Sequence, residues 1–236
     1  MDGMQYAGKE AKYFTFARQE IMPLLPDRAA RILEIGCGAG ATLAWIKSVR
    51  QVSFAAGVEL MAEPAEQARA VCDEVLVGDV EKLMLPFEPG SFDLILALDV
   101  LEHLVDPWVV MPRLHALLRP GGHLIASIPN VAHYSVSLPL LRGRWEYVRS
   151  GILDATHLRF FVQDSVKRLL TCSGMVIDKT DPIIRVPWNL HRVIGWRRNH
   201  RLQSFAARIL PHPFTYQFLM RAKNVPPVSG ALEGAC

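Results

Sequence analysis

Arg31-Ile32-Leu33-Glu34-Ile35-Gly36-Cys37-Gly38-Ala39-Gly40 is a short apolar run that carries one acid and closes on three glycines. Ile32 to Ile35 has the composition of a strand buried on both faces of a parallel sheet. Ala41-Thr42-Leu43-Ala44-Trp45-Ile46 then continues as a helix. Strand, glycine turn and helix make the first unit of a ligand-binding α/β sheet, where residues without Cβ let a ligand lie against the backbone. A dinucleotide fingerprint, G-x-G-x-x-G, asks for glycine or alanine at 41 after Gly36 and Gly38. Ala41 meets the looser form, so the spacing alone leaves a nicotinamide cofactor open.

Working outward, strand and turn signals recur in order. Phe54 to Val58 forms a second strand closed by Glu59, and Glu74 to Val77 a third closed by Gly78-Asp79. Phe92 to Leu98 forms a fourth ending at Asp99, and His123 to Ile128 a fifth after Leu118-Arg119-Pro120-Gly121-Gly122. The ordered string LEIGCGAG, VEL, GDV, FDLILALDVLEHL, LLRPGGHLIASIP closely resembles the class I S-adenosylmethionine-dependent methyltransferases over residues 31–130. The resemblance implies a Rossmann-like, doubly wound α/β fold: a mostly parallel seven-stranded sheet with an insertion after strand five. It also implies S-adenosyl-L-methionine as the cofactor.

On that resemblance, Gly36, Gly38 and Gly40 let the backbone approach the ligand, and the helix start that follows favours its carboxylate through free N–H groups. Glu34 lies beneath the methionine moiety and orders its amino group. Glu59, at the tip of strand two, accepts from both ribose hydroxyls, the solution dinucleotide folds also use. Asp79 accepts from the adenine amino group with Val80 against the ring, and Asp99 borders the methionine chain.

Length and composition bound the remainder. The 236 residues suit one α/β domain with an embellishment, and half are hydrophobic without any run long enough to span a bilayer. The opening residues lack the layout of a signal peptide. Cys37, Cys72, Cys172 and Cys236 show no C-x-x-C pair or zinc spacing, which fits a reduced cytoplasmic protein. No clustered set of acids suggests a magnesium site, so metal independence is expected. A net charge of +3 does not imply nucleic acid. Its distribution is uneven, however: no acid stands between Asp181 and Glu233, whereas Arg185, Arg192, Arg197, Arg198, Arg201, Arg208, Arg221 and Lys223 fall there.

The expected organisation is an N-terminal helical lid (1–30, helical over Tyr13 to Met22), a methyltransferase domain (31–223) and a flexible tail (224–236). Within the domain, 129–160 forms an acceptor-site insertion and 187–211 a basic helical excursion. Asp106-Pro107 is a helix start, Pro112 lies inside that helix, and a further helix covers Gln163 to Cys172 with Gly174 as its cap. Met175 to Lys179 and Phe214 to Arg221 supply the last two strands.

Methyl transfer requires alignment of the acceptor and exclusion of water; a carbon-bound hydroxyl must also lose a proton. IPNVAHY and GILDATHLRFF resemble a bacterial branch of the family associated with glycans and secondary metabolites. His157 and His133 are the leading candidate bases, with Asp154 orienting His157; His103 is a third, lower-ranked candidate whose alternative role is to hold the loop after strand four. Tyr134, Arg144, Trp145 and Arg159 are candidates for the acceptor, a small polar molecule such as a sugar or a phosphate-bearing metabolite. Four other readings stay open: N-methylation of a small amine, nucleic-acid or protein methylation through the basic region 185–223 (which no Asp-Pro-Pro-Tyr-type motif supports), a non-catalytic cofactor-binding partner subunit, and peripheral membrane contact through residues 188–210.

Overall fold

The computed structural model describes residues 14–185 and 211–225, apart from the side chains of 211 and 212. Eight strands alternate with helices: β1 (Arg31–Ile35), α1 (Ala41–Val49), β2 (Phe54–Glu59), α2 (Ala62–Ala68), β3 (Glu74–Val77) and β4 (Phe92–Leu98). They continue with α3 (Pro107–Leu117), β5 (Leu118–Pro129), α4 (Tyr134–Leu140), α5 (Gln163–Cys172), β6 (Met175–Thr180), β7 (Ile183–Ile184), α6 (Pro211–Phe214) and β8 (Thr215–Asn224). The sheet order is β3-β2-β1-β4-β5-β8-β6, with the two-residue β7 pairing β8. Strands β1 to β5 pair in parallel, and β8 runs antiparallel to β5, β6 and β7. The seven expected strands are all present, and β7 is an addition too short to read from two isoleucines.

Alternation along the strands loads both faces of the sheet. Leu33, Ile35, Ile95, Ala97, Leu124 and Ala126 pack with Val110, Met111 and Leu114 of α3 and Val166, Leu169 and Leu170 of α5. Ile32, Leu94, Leu96 and Ile125 point the other way, onto Leu43 and Ile46 of α1 and Ala65 and Ala68 of α2. Helices on both faces leave every central strand apolar throughout, as a parallel sheet demands. Asp106 caps α3 by accepting from Trp108 N at 3.1 Å, with Pro107 at the first helical position and Pro112 inside. Gly174 follows α5 at φ 90°.

The N-terminal segment departs from expectation. In place of a helix over 13–22, of which Tyr13 lies outside the described residues, a 3-10 helix runs Gln19–Leu24 with Pro23 inside it. Its Ile21 and Leu24 are fully buried. Residues 14–18 run mostly without regular structure because tertiary bonds claim them: Ala39 N donates to Phe14 O at 2.9 Å and Arg18 N to Thr42 Oγ1 at 3.3 Å. The basic excursion at 187–211 and the tail at 224–236 fall almost wholly outside the described residues. Among the described residues, no helix is long and apolar enough to cross a membrane.

Candidate active site

The strand order reverses between β1 and β4, and open α/β sheets bind ligands beyond the carboxyl ends of the strands at that point. A cavity of about 640 Å³ lies there, lined by the ends of β1, β2 and β4 and by the turns after them. Glu34, Gly36, Gly38, Glu59, Asp79, Val80 and Asp99 all line it.

Gly36 and Gly38 hold φ +70° and +54°, which L side chains rarely adopt. A Cβ on Gly38 would stand 2.6 Å from Phe14 O, and one on Gly36 2.5 Å from a methyl of Val100. The loop must therefore be bare backbone where the N-terminal segment crosses it. Gly40 does not line the cavity. It precedes α1 in the left-handed region, with Ala68 3.4 Å from its Cβ direction, so its place is helix packing. Cys37 Sγ lies 2.5 Å from where Gly57 would carry a Cβ, and burial pushes its thiol up, so it fills space and does not react.

Glu59 is buried at the end of β2. One carboxylate oxygen accepts from Gly38 N at 2.8 Å and the other from Met61 N at 3.0 Å. Burial raises its pKa, and these N–H groups counteract the rise. Glu34 is 3 % exposed, and its Oε2 has no hydrogen-bond partner among the described residues. Burial pushes its carboxyl up to about 8, against the Thr42 hydrogen bond and the Arg18 charge. Asp79 accepts from Glu81 N at 3.0 Å and faces Lys82 Nζ at 3.2 Å. Asp99 holds φ 57° and is gripped by Arg18, by Gln217 and by Ser127 Oγ at 3.1 Å.

These residues fit an adenosyl amino acid. Glu34 is a buried acid on the cavity wall with one carboxylate oxygen, Oε2, unpartnered among the described residues, as an ammonium requires. The bare glycine loop admits a ligand against the backbone, and the Glu59 carboxylate is fixed in place by the loop it faces.

The histidines and insertion residues are arranged differently from expectation. His133 is buried, with Nδ1 on Ser135 Oγ at 2.8 Å and Nε2 on Arg185 O at 3.0 Å, and it does not line the cavity. Burial lowers its pKa. His157 and Asp154 are also outside the lining. Asp154 accepts from Thr156 N at 3.0 Å and Thr156 Oγ1 at 2.8 Å, and His157 Nδ1 faces Ile152 O at 2.9 Å. His103 does line the cavity. Tyr134 packs on His133 with centroids 4.2 Å apart, Trp145 on Phe160 at 5.1 Å, and Arg159 Nε donates to Val105 O at 2.9 Å. Arg144 lines a second space of about 440 Å³ that shares Gly151 and Tyr216 with the first. None of Tyr134, Trp145, Arg159 and Arg144 lines the main cavity.

Reasoning from sequence missed Arg18, Glu20, Arg185, Tyr216 and Gln217 as lining residues. Arg18 reaches Asp99, far along the chain, and Gln217 arrives on the antiparallel β8, so no local pattern marks either. The run Ile183-Ile184-Arg185 beside a strand was the one available signal: Arg185 lies over the Tyr216 ring at 3.7 Å.

Fold and cavity together define an α/β protein that receives an adenosyl-bearing amino acid at the switch point of its sheet. The comparisons carry this further. Residues 10–180 match a family model described as a methyltransferase domain, so the chain belongs to that family, the S-adenosylmethionine-dependent class I methyltransferases. Its domain uses S-adenosylmethionine as methyl donor. A ubiquinone biosynthesis O-methyltransferase of Xanthomonas euvesicatoria pv. vesicatoria is 28% identical over 187 residues, covering 76% of each chain. An uncharacterized 37.1 kDa protein in transposon TN4556 of Streptomyces fradiae is 29% identical over 188 residues, which is 76% of this chain but 53% of that one. This chain thus spans about half the length of that relative. A crystal structure from Thermotoga maritima, described as a possible histamine N-methyltransferase, superposes with a TM-score of 0.59 at 20% identity, covering 87% of this chain and 86% of that chain. That likeness is one of fold.

Proposed function

We propose that the protein O-methylates a small polar metabolite that carries a hydroxyl and an anionic group, with sugars and glycan precursors within that class. The observation that carries this reading is the reach of the cavity. It continues past the donor-holding acids to His103, Leu104, Gly151, Arg185 and Tyr216. When bound, S-adenosylmethionine supplies a methyl group on a sulfonium, whose C–S bond breaks with the electron pair passing to sulfur. Glu34 pairs with the donor's ammonium, Glu59 holds the ribose, and Asp79 with Val80 receives the adenine. Arg185, braced on Tyr216, anchors a carboxylate or phosphate of the acceptor. Phe14, Phe16 and Leu104 exclude water from the reacting atoms.

A hydroxyl must shed its proton, and the polar group nearest that task is the buried set of Glu102, His103 and His157, of which His103 faces the cavity. In this reading the set as a whole promotes loss of that proton, with His103 on the cavity wall and His157 behind it, while His133 and Asp154 brace the insertion. The name of the Xanthomonas relative, an O-methyltransferase, supports oxygen over nitrogen. The reduced thiols fit a cytoplasmic setting.

The test is transfer from methyl-labelled donor to matched panels of hydroxyl and amine acceptors, with and without anionic groups. Label on oxygen, favoured by an anionic acceptor and lost with Arg185→Ala at constant donor affinity, is expected. Transfer confined to amines would overturn the reading.

A further inference from the structure

Behind the cavity wall, a 3-10 turn at Leu101–His103 meets the loop that carries His157. Leu158 N and Arg159 N both donate to Glu102 O at 2.9 Å, which clamps the loop onto the turn. The His103 and His157 rings meet edge to face, 4.7 Å between centroids at 76°. One ligand atom each from Glu102, His103 and His157 lies within 4.8 Å of the other two, and all three residues are buried.

Two independent features of this cluster point to a cation. Glu102 is 1 % exposed, and neither of its carboxylate oxygens has a hydrogen-bond partner among the described residues. A carboxylate so placed carries a desolvation cost of several kcal/mol unless a positive charge meets it. The imidazoles are also oriented for ligation. His103 Nδ1 lies 3.0 Å from Thr156 O and His157 Nδ1 2.9 Å from Ile152 O. A carbonyl only accepts, so each Nδ1 bears the proton and each Nε2 carries the lone pair. Metal-binding histidines are held in this way, with the second ring nitrogen donating to a backbone carbonyl.

We propose that Glu102, His103 and His157 form a binding site for one divalent transition-metal cation. Two imidazoles and one carboxylate suit Mn²⁺, Fe²⁺, Co²⁺ or Zn²⁺ better than Mg²⁺ or Ca²⁺, which prefer oxygen throughout. Three protein donors leave coordination positions for an outside oxygen, and His103 lies on the cavity wall. The site's use rests on the O-methylation reading. An acceptor hydroxyl held by the cation gives up its proton to water more readily, and the oxygen's freed pair then forms the new O–C bond. Metal independence was expected because no acids cluster in the sequence. The ligands come together only in the fold, with one residue of the set far along the chain from the other two.

The experiment loads the full chain, stripped with EDTA, with Mn²⁺, Co²⁺ or Zn²⁺. Metal retained after desalting is measured by mass spectrometry, and Co²⁺ binding by visible absorption. About one ion per chain is expected. Glu102→Gln and His157→Gln should weaken binding by more than the roughly 10- to 100-fold that loss of an outer partner costs. Affinity for S-adenosylhomocysteine should be retained in both variants, which reports an intact fold. A wild-type chain that holds none of the three ions more tightly than Glu102→Gln overturns the site. If the ion binds but hydroxyl methylation is unchanged by EDTA, the site stands and its catalytic use falls. If the ion binds and only amines are methylated, the O-methylation reading falls instead.

Discussion

Glu34→Gln separates the cost of the donor pocket from its use. The Glu34 carboxyl has its pKa raised from 4.5 to about 8, chiefly by burial. A raised carboxyl binds its proton more tightly in the folded chain than in the unfolded one. Its stabilising contribution is therefore complete below pH 4.5 and is lost as pH rises towards 8. At about 1.4 kcal/mol per pH unit, the loss at pH 7 reaches about 3 kcal/mol. Glutamine copies the protonated form and does not ionise. The variant should match wild type in stability near pH 4.5 and exceed it at pH 7 by up to about 3 kcal/mol. In a chain of this size that is roughly 6–12 °C in Tm. The same change should weaken S-adenosylhomocysteine binding, because the ammonium loses its anionic partner, by roughly 10-fold or more. Thermal unfolding across pH and calorimetry of the same two proteins measure both effects. A stability difference that does not change between pH 4.5 and 7 would refute the claim that Glu34 is held at its own expense for a cation. So would a variant that binds the ligand as tightly as wild type.

Glu59→Ala removes the acceptor for Gly38 N and Met61 N as well as the proposed ribose contact; calorimetry should show affinity for S-adenosylhomocysteine down by roughly 100-fold, and an unchanged value would count against the pocket. Gly38→Ala forces a Cβ to 2.6 Å from Phe14 O at φ +54°, so denaturant unfolding should show a loss of roughly 1–3 kcal/mol, with faster amide exchange at Ala39. His133→Gln should lower stability above pH 6.5 while leaving turnover in place. The folded chain keeps this imidazole neutral, so wild type gives up that advantage as pH falls through 6.5, and a variant lacking turnover at full stability would return His133 to the chemistry. Asp106→Ala should cost about 1 kcal/mol in chemical denaturation through the lost cap on Trp108 N, with no effect on ligand affinity.

The sheet and the strand-end lining of the cavity were legible because each piece is local. A strand, its closing acid and the following turn are contiguous, so Glu34, Glu59, Asp79 and Asp99 could be placed at strand ends by counting along the chain. The period-two alternation and the cap at Asp106 carry the same kind of short-range information. The N-terminal segment was misread for the opposite reason. Its helical pattern gives way to bonds made with Ala39, Thr42 and Asp99, which local propensity does not weigh.

The acceptor side belongs to the tertiary structure. Histidine at 133 and at 157 looked alike in sequence, yet one is tied to Ser135 and Arg185 while the other stands against His103. The sequence by itself determined an α/β sheet with a glycine loop and an acid at or near each of the strand ends that line the cavity, since backbone geometry and chain order enforce both. Only the tertiary structure decided that Arg18 and Gln217 grip Asp99 and that Glu102, His103 and His157 converge. Long-range closeness depends on how helices and loops pack on the sheet, and that packing leaves no periodic trace in the chain.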